Sequence, residues 1–494
     1  MLIRGPLRRF VVVCGVFFAF TLITYFYATQ GAVDMKILQE KVQQFNNDFA
    51  EKLRWRGGFD ASLKQWELKC DPQVRAVRAD IETGSLYDSV PFKNKDGGVW
   101  KQGFNITYSP SDWDKQKLEV FILPHSHQDT GWVMTLDEYF AKSTRQGLDA
   151  TVDFLGKNSF ARFIYAEVAY LNEWWKDLSP SVRTLFTKLV RDGQWEIATG
   201  GWVVHDEALT HYGAAISQLI EGQHWLLDNI GKLHNALPLS SGVVPNVSWV
   251  IDVFGHSATA PYILRKAGIK NALINRVHYE IKKALAKTQK LEFVWRQPWD
   301  SSGETEVFTH LLPFYAYDIP HTCGPDPSIC CQFDFKRIAL RCPWGVQPTL
   351  ITPSNVQARA ELLVDQYRKK AKLFKNGDVL LVPLGDDFRF LTSNEWDLQI
   401  SNYRKLMDYI NNNAAYNMHI RFGTLSEYFG LLHSRNKLKD FSTFTGDFYT
   451  YADLDDDFWS GYYTSHATFK SMSRFVEAEV RWVSISCLTH FNIL

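Results

Sequence analysis

The chain lacks any excess of charge of one sign: its 54 Lys and Arg residues are matched by 54 Asp and Glu. A strong field of one sign is what draws nucleic acid or an acidic partner, so neither class is expected here. It also lacks paired CxxC spacing. Apart from Cys14, the cysteines are Cys70, Cys323, Cys330, Cys331, Cys342 and Cys487, and the run CGPDPSICC does not fit a zinc ribbon. Disulfides formed in an oxidising compartment are the expected state, with their pairing open. No internal repeat or low-complexity tract is present, which sets aside a repeat array. What remains is a chain of 494 residues, 46% hydrophobic, enough for one large or two to three ordinary domains around a sizeable core.

One long run has no charge at all. Arg4, Arg8 and Arg9 precede an apolar stretch from Phe10 to Ala28. At ~1.5 Å per residue it is long enough to cross a bilayer as a helix. A cleaved signal peptide has a shorter core, of ~7–15 residues, and a small-x-small site that is not found here. The reading is a cytoplasmic tail over 1–9 and an uncut transmembrane anchor over 10–28. The basic flank lies inside and the bulk of the chain in a lumen. Asn105-Ile-Thr and Asn246-Val-Ser are glycosylation acceptors usable there. Near Met35–Trp55, Val42, Phe45, Phe49 and Leu53 recur at helical spacing. That face suits either a stem helix or a helix packed on the main domain. Residues 29–114 read as stem and lead-in.

From Leu118 short apolar runs alternate with longer helical patterns. Strands are predicted at Val120–Leu123, Phe163–Val168, Trp195–Thr199, Trp249–Ile251, Ala272–Ile274, Val307–Leu312 and Val379–Leu384. Helices are predicted at Glu138–Leu155, Ser181–Arg191, Ala214–Asn229, Ala258–Ala267, Val356–Phe374 and Trp396–Asn411. Alternation of this kind implies an α/β fold, a parallel sheet covered by helices. Five of the runs lead into ionisable groups: His127 and Asp129, Asp252, Arg276, Tyr317 and Asp318, and Asp386 and Asp387. In α/β folds such C-terminal strand ends converge on one face, where sites form.

The residue types suggest chemistry. His127 and Asp129, two apart on an extended segment, can point the same way, and their nitrogen and oxygen suit zinc. Asp252 follows Trp-Val-Ile and could be a third ligand, a nucleophile, or both. Asp386 and Asp387 are adjacent carboxylates; repulsion can keep a proton on one, as a group that protonates a leaving group requires. Aromatics make up 15% of the chain, with 17 Trp, mostly for the core but able to offer faces on which sugar rings stack.

The strings LPHSHQDTGW, SWVIDVFGHSATAPYILRKAG, FYAYDIPHTCGPDPSICCQFDFKR, PLGDDFRF and TYADLDDDFWSGYYTS resemble, in order, the Golgi α-mannosidase II group of glycoside hydrolase family 38. The resemblance runs from about Phe121 to about Arg474. It implies a seven-stranded β/α barrel-like catalytic domain over 115–435, then the start of a helical bundle over 436–480. It implies one zinc ion per chain, held by His127, Asp129 and Asp252. Asp252 would also be the nucleophile and Asp387 the general acid/base of a retaining mechanism. Trp132, Arg276, Tyr317, Asp318 and Asp386 would line the sugar site. The implied substrate is the mannose branches of N-linked glycans, met in the Golgi lumen by a single-pass type II membrane protein. Homodimer formation stays open.

The sequence departs from the family in places. Gln128 and Thr130 stand where relatives carry a different residue and then Pro, and Val253 stands where Pro is usual. A His-His-Asp-Gly motif that supplies a further zinc ligand is not found. Family-like sequence fades after about Val480, so residues 481–494 read as an atypical tail of a truncated member, with His490 a chance residue. The alternative is therefore a catalytically inactive, membrane-anchored glycan-binding or regulatory fragment. A metal-dependent deacetylase, which also sets His and Asp at strand ends, is the competing enzyme class.

Overall fold

The computed structural model describes residues 78–93, 104–231, 245–300 and 302–490. The chain divides into a unit of residues 1–73 and one of 74–494, and every described residue belongs to the second. The expected anchor at 10–28, the stem helix near 35–55, Cys14 and Cys70 lie outside the described residues. Among the described residues no helix is long and apolar enough to cross a membrane.

The strands are β1 (Ile81–Glu82), β2 (Leu118–His127), β3 (Phe163–Tyr165), β4 (Trp195–Ile197), β5 (Val247–Val250) and β6 (Asn271–Ile274). They continue with β7 (Glu292–Arg296), β8 (Val307–Leu311), β9 (Val379–Asp387), β10 (Met418–Phe422) and β11 (Ser442–Thr445). One sheet has the order β1-β11-β7-β8-β6-β5; the other has β10-β2-β3-β4, with β9 on β2. Every ladder is parallel except that between β7 and β8. The mixed α/β class is as expected. The seven-stranded barrel is corrected in its closure: among the described residues no ladder joins the two sheets. A single backbone bond, Thr199 N–H to Val247 C=O at 2.8 Å, spans from the end of β4 to β5.

Parallel strands lie between helical layers, so both faces are apolar. β2 follows this rule, with Leu118 and Val120–Leu123 buried. β9 is buried from Val379 through Leu384 and pairs with β2 over nine consecutive positions. The two backbones approach closely at Gly385, where an added Cβ would lie 2.1 Å from the His125 carbonyl oxygen. A side chain there would push the strands apart, so glycine is required.

Other expectations moved at their edges. The strand predicted to reach Val168 stops at Tyr165, and Val168–Lys176 is a helix. Val168, Ala169, Tyr170 and Leu171 are all buried, and a short run buried all round does not distinguish strand from helix. β7 and β10 and the helices Tyr279–Lys287 and Leu425–Arg435 went unread. The cysteine cluster is paired as Cys323–Cys330 and Cys331–Cys342, two short loops beside the sheet. A long helix, Ala467–His490, ends the described chain.

Candidate active site and metal centre

The register of β2 on β9 builds the centre of the site. Ser126 is the Cα partner of Asp386, and His127 that of Asp387. Beyond Asp387 the chain turns back: Phe388 N–H donates to the His127 carbonyl at 2.9 Å. Phe388 and Phe390 adopt φ of 45° and 60°, a left-handed backbone that bulky residues rarely take. Packing compensates, since Phe388 stacks on Tyr139 at 4.8 Å and Phe390 meets Trp396 at 4.2 Å.

Asp129 lies two residues past β2, with its carbonyl accepting from the Tyr170 hydroxyl at 2.5 Å. Asp252 lies two residues past β5. His127 Nε2 stands 3.5 Å from Asp129 Oδ1 and 3.4 Å from Asp252 Oδ2. The nitrogen is buried and has no hydrogen-bond partner of good geometry. One ligand atom from each of the three residues lies within 4.8 Å of the others. Burial acts to lower the His127 pKa, yet the Asp129 and Asp252 carboxylates outweigh it and hold it well above the ordinary value. The cluster thus draws in positive charge. One imidazole nitrogen and two carboxylates fit a catalytic divalent ion that keeps an open position.

Arg276, two residues past β6, pairs with Asp252 through Nε and Nη2. Burial raises the Asp252 pKa, but His127 and the Arg276 charge outweigh it and hold the carboxyl below its usual value. The guanidinium lies inside a box of rings, 5.6 Å from Phe254, 5.8 Å from Tyr317, 5.6 Å from Tyr451 and 4.8 Å from Trp459. Its Nη1 also donates to the Tyr451 hydroxyl at 2.9 Å. Stacking leaves the planar fork one orientation, aimed at Asp252.

Tyr317 joins the two halves. Its ring sits 5.2 Å from that of His127, and its hydroxyl donates to Asp387 Oδ1 at 2.7 Å. Burial raises the Asp387 pKa, Asp252 and Asp129 add to the rise, and His127 and the Tyr317 bond moderate it. Asp386 is pushed up to about 6, first by burial and then by the Asp318 charge. Asp318 itself meets His321 Nδ1 at 2.6 Å. Trp132 stands apart from these partners, 75% exposed on the loop after β2.

So His127, Asp129, Asp252, Arg276, Tyr317 and Asp387 come together, with Asp386 and Asp318 beside them and Trp132 presenting an open ring. Sequence reading had not singled out Phe254, Tyr451, Trp459 or Tyr170. Tyr451 and Trp459 sit in the aromatic and acidic string TYADLDDDFW, which offered a signal; Phe254, in DVFG, offered little. Gln128 bridges the Tyr165 hydroxyl at 3.0 Å and Ser126 Oγ at 3.2 Å.

The chain is 48% identical over 420 residues to "Alpha-mannosidase 2x" of Mus musculus, covering 83% of this chain and 35% of that relative. It is 48% identical over 422 residues to "Alpha-mannosidase 2" of Homo sapiens, with 84% and 36% covered. For "Alpha-mannosidase 2" of Drosophila melanogaster the figures are 48% over 420 residues, with 84% and 37% covered. The chain spans about a third of the length of the curated relatives it matches. The model of the glycosyl hydrolases family 38 N-terminal domain matches residues 117–454, which include every residue of the site just described except Trp459. The chain belongs to glycosyl hydrolase family 38.

Proposed function

We propose that this chain is a zinc-dependent, retaining exo-α-mannosidase that trims mannose from N-linked glycans in the Golgi lumen. The observation that carries this reading is the cluster of His127, Asp129 and Asp252, the one such group among the described residues, with Asp387 in register beside it. His127, Asp129 and Asp252 would hold one Zn2+. When bound, the ion would supply Lewis-acid chemistry beside the reacting sugar.

This chain's own residues do the rest. Asp252, kept ionised by Arg276, attacks the anomeric carbon as the bond to the leaving oxygen breaks. Asp387, whose raised pKa favours the acid form, gives its proton to that oxygen. A water then loses a proton to Asp387 and attacks the same carbon, which frees Asp252 and restores the original configuration. Arg276, Tyr317, Asp318 and Asp386 line the sugar, and the exposed Trp132 ring gives it a stacking face. On this reading the strands and helices that carry the site form the catalytic domain, and 10–28 anchor the chain as a type II membrane protein.

The test is zinc content and mannose release on the full purified chain, beside Asp252→Asn. Zinc near one per chain, with release that the variant abolishes, supports the reading. A folded chain with little zinc and no release overturns it in favour of a glycan-binding fragment, and release of acetate would mark a deacetylase.

A further inference from the structure

Lys282 belongs to none of the groups assigned above. It lies in the helix Tyr279–Lys287 and is 4% exposed. Its Nζ donates to Asn275 Oδ1 at 2.9 Å and to the Phe314 carbonyl at 2.8 Å. Asn275, itself fully buried at 0% exposure, donates from Nδ2 to the Ile251 carbonyl at 3.0 Å.

These contacts converge on the site's supports. Ile251 precedes Asp252, Asn275 precedes Arg276, and Phe314 lies three residues before Tyr317. One amine thus reaches, directly or through one side-chain amide, the chain just past β5, β6 and β8. The same segments are laced together by Gly255 N–H on the Arg276 carbonyl at 3.1 Å and Leu312 N–H on the Ile274 carbonyl at 3.0 Å.

The arrangement is costly for mere packing. A buried lysine loses its hydration, and this one bonds to neutral oxygens rather than to a carboxylate. Burial, and then the nearby Arg276 charge, hold its pKa well below the ordinary lysine value. An aliphatic side chain of similar length would fill the space without that penalty, but would leave the three segments untied.

We propose that Lys282 is a positioning residue: it fixes the backbone from which Asp252, Arg276 and Tyr317 project, and through Tyr317 it places Asp387. This rests on the mannosidase reading for its effect on rate, though not for its effect on the backbone.

The test compares the full chain with Lys282→Met and with the double variant Lys282→Met/Asn275→Leu. The double variant removes both members of the buried amine–amide pair and so leaves fewer polar groups unpaired. Lys282→Met is expected to lower kcat about 30- to 100-fold with KM changed less than about threefold, since misplacement near 1 Å costs on that order. The double variant is expected to recover thermal stability without recovering kcat. In hydrogen–deuterium exchange, residues 252–256, 275–277 and 314–318 are expected to exchange faster together in both variants. If kcat returns with stability in the double variant, or Lys282→Met keeps its kcat, the role is structural and the proposal fails. Should Lys282→Met not fold, the double variant carries the same comparison. If the parent chain releases no mannose, the mannosidase reading fails on its own, and exchange alone decides: unchanged exchange in the three segments overturns the positioning role, and joint acceleration supports it.

Discussion

The two sides of the site hold their carboxylates in opposite ways. Past β5 and β6, Asp252 meets a guanidinium boxed by four rings, and its pKa is held down. At the end of β9, Asp386 and Asp387 face burial first and then other carboxylates, Asp318 beside Asp386 and Asp252 and Asp129 beside Asp387, with no arginine in a comparable grip, and both are held up. Arg337 approaches Asp386 only to 3.7 Å. Two identical side chains are thereby driven apart, one toward the anion and the other toward the acid. That separation is what a nucleophile and a general acid require.

The same contrast extends to the buried lysines beneath each side. Lys282 ties the loops around Asp252 through an amide and a carbonyl. Lys370 lies under β9, donating to the Thr322 carbonyl at 2.8 Å and the Leu381 carbonyl at 2.6 Å. Burial pushes the Lys370 pKa down to about 7. Both amines are anchored by carbonyl or amide oxygens rather than by carboxylates, so each ties segments of chain together at the cost of its own charge.

The contrast breaks most severely with Asp252→Asn. On the proposed mechanism this removes the nucleophile and one metal-ligand charge, and is expected to lower kcat/KM at least ~10⁴-fold, read in a mannose-release assay, with zinc content reduced. Arg276→Lys comes next. Lysine keeps the charge but not the planar fork or its stacking, so a loss of about 100-fold is expected in the same assay.

Tyr317→Phe sharpens the comparison on the other side. The hydroxyl donates to the Asp387 carboxylate and so stabilises its anion. Without it the Asp387 pKa rises further. The alkaline limb of the rate profile, where Asp387 loses its proton, is then expected to move to higher pH, with a fall of about tenfold in kcat at its optimum.

The smallest effect concerns stability. The Lys370 pKa near 7 lies below its unfolded value, so between the two the unfolded chain binds more protons than the folded one. Stability contributed by this site therefore rises with pH across that window, with a slope of at most ~1.4 kcal/mol per pH unit. In Lys370→Met that slope is expected to vanish, seen as a loss of the pH dependence of the denaturation midpoint relative to the parent.

Much of this was legible in the sequence. Seven apolar runs marked strands that exist, and the ionisable groups that follow five of them lie together in the candidate site. The apolar Val168–Leu171 was not legible as a helix, because burial on all sides erases the period that distinguishes the two. β10 and β11 were missed because neither is a continuous apolar run: β10 reads Met-His-Ile-Arg-Phe and β11 Ser-Thr-Phe-Thr, and their partners, β2 and β7, lie far off in sequence. The ring box around Arg276 was equally hidden, since Phe254, Tyr451 and Trp459 are ordinary aromatic residues until the fold brings them to one cation.

The amino-acid order by itself determined which chemical groups follow each strand, because a strand's end and the residues after it are local facts. It also determined that a neutral, mixed surface would sit around a large aromatic core. Only the tertiary structure decided the register that sets His127 beside Asp387, since parallel strands are aligned by packing across their faces and not by any turn between them. The same holds for the opposite fates of Asp252 and Asp387. A carboxylate's pKa depends on what burial and neighbouring charge the fold brings to it, and no side chain carries that information alone.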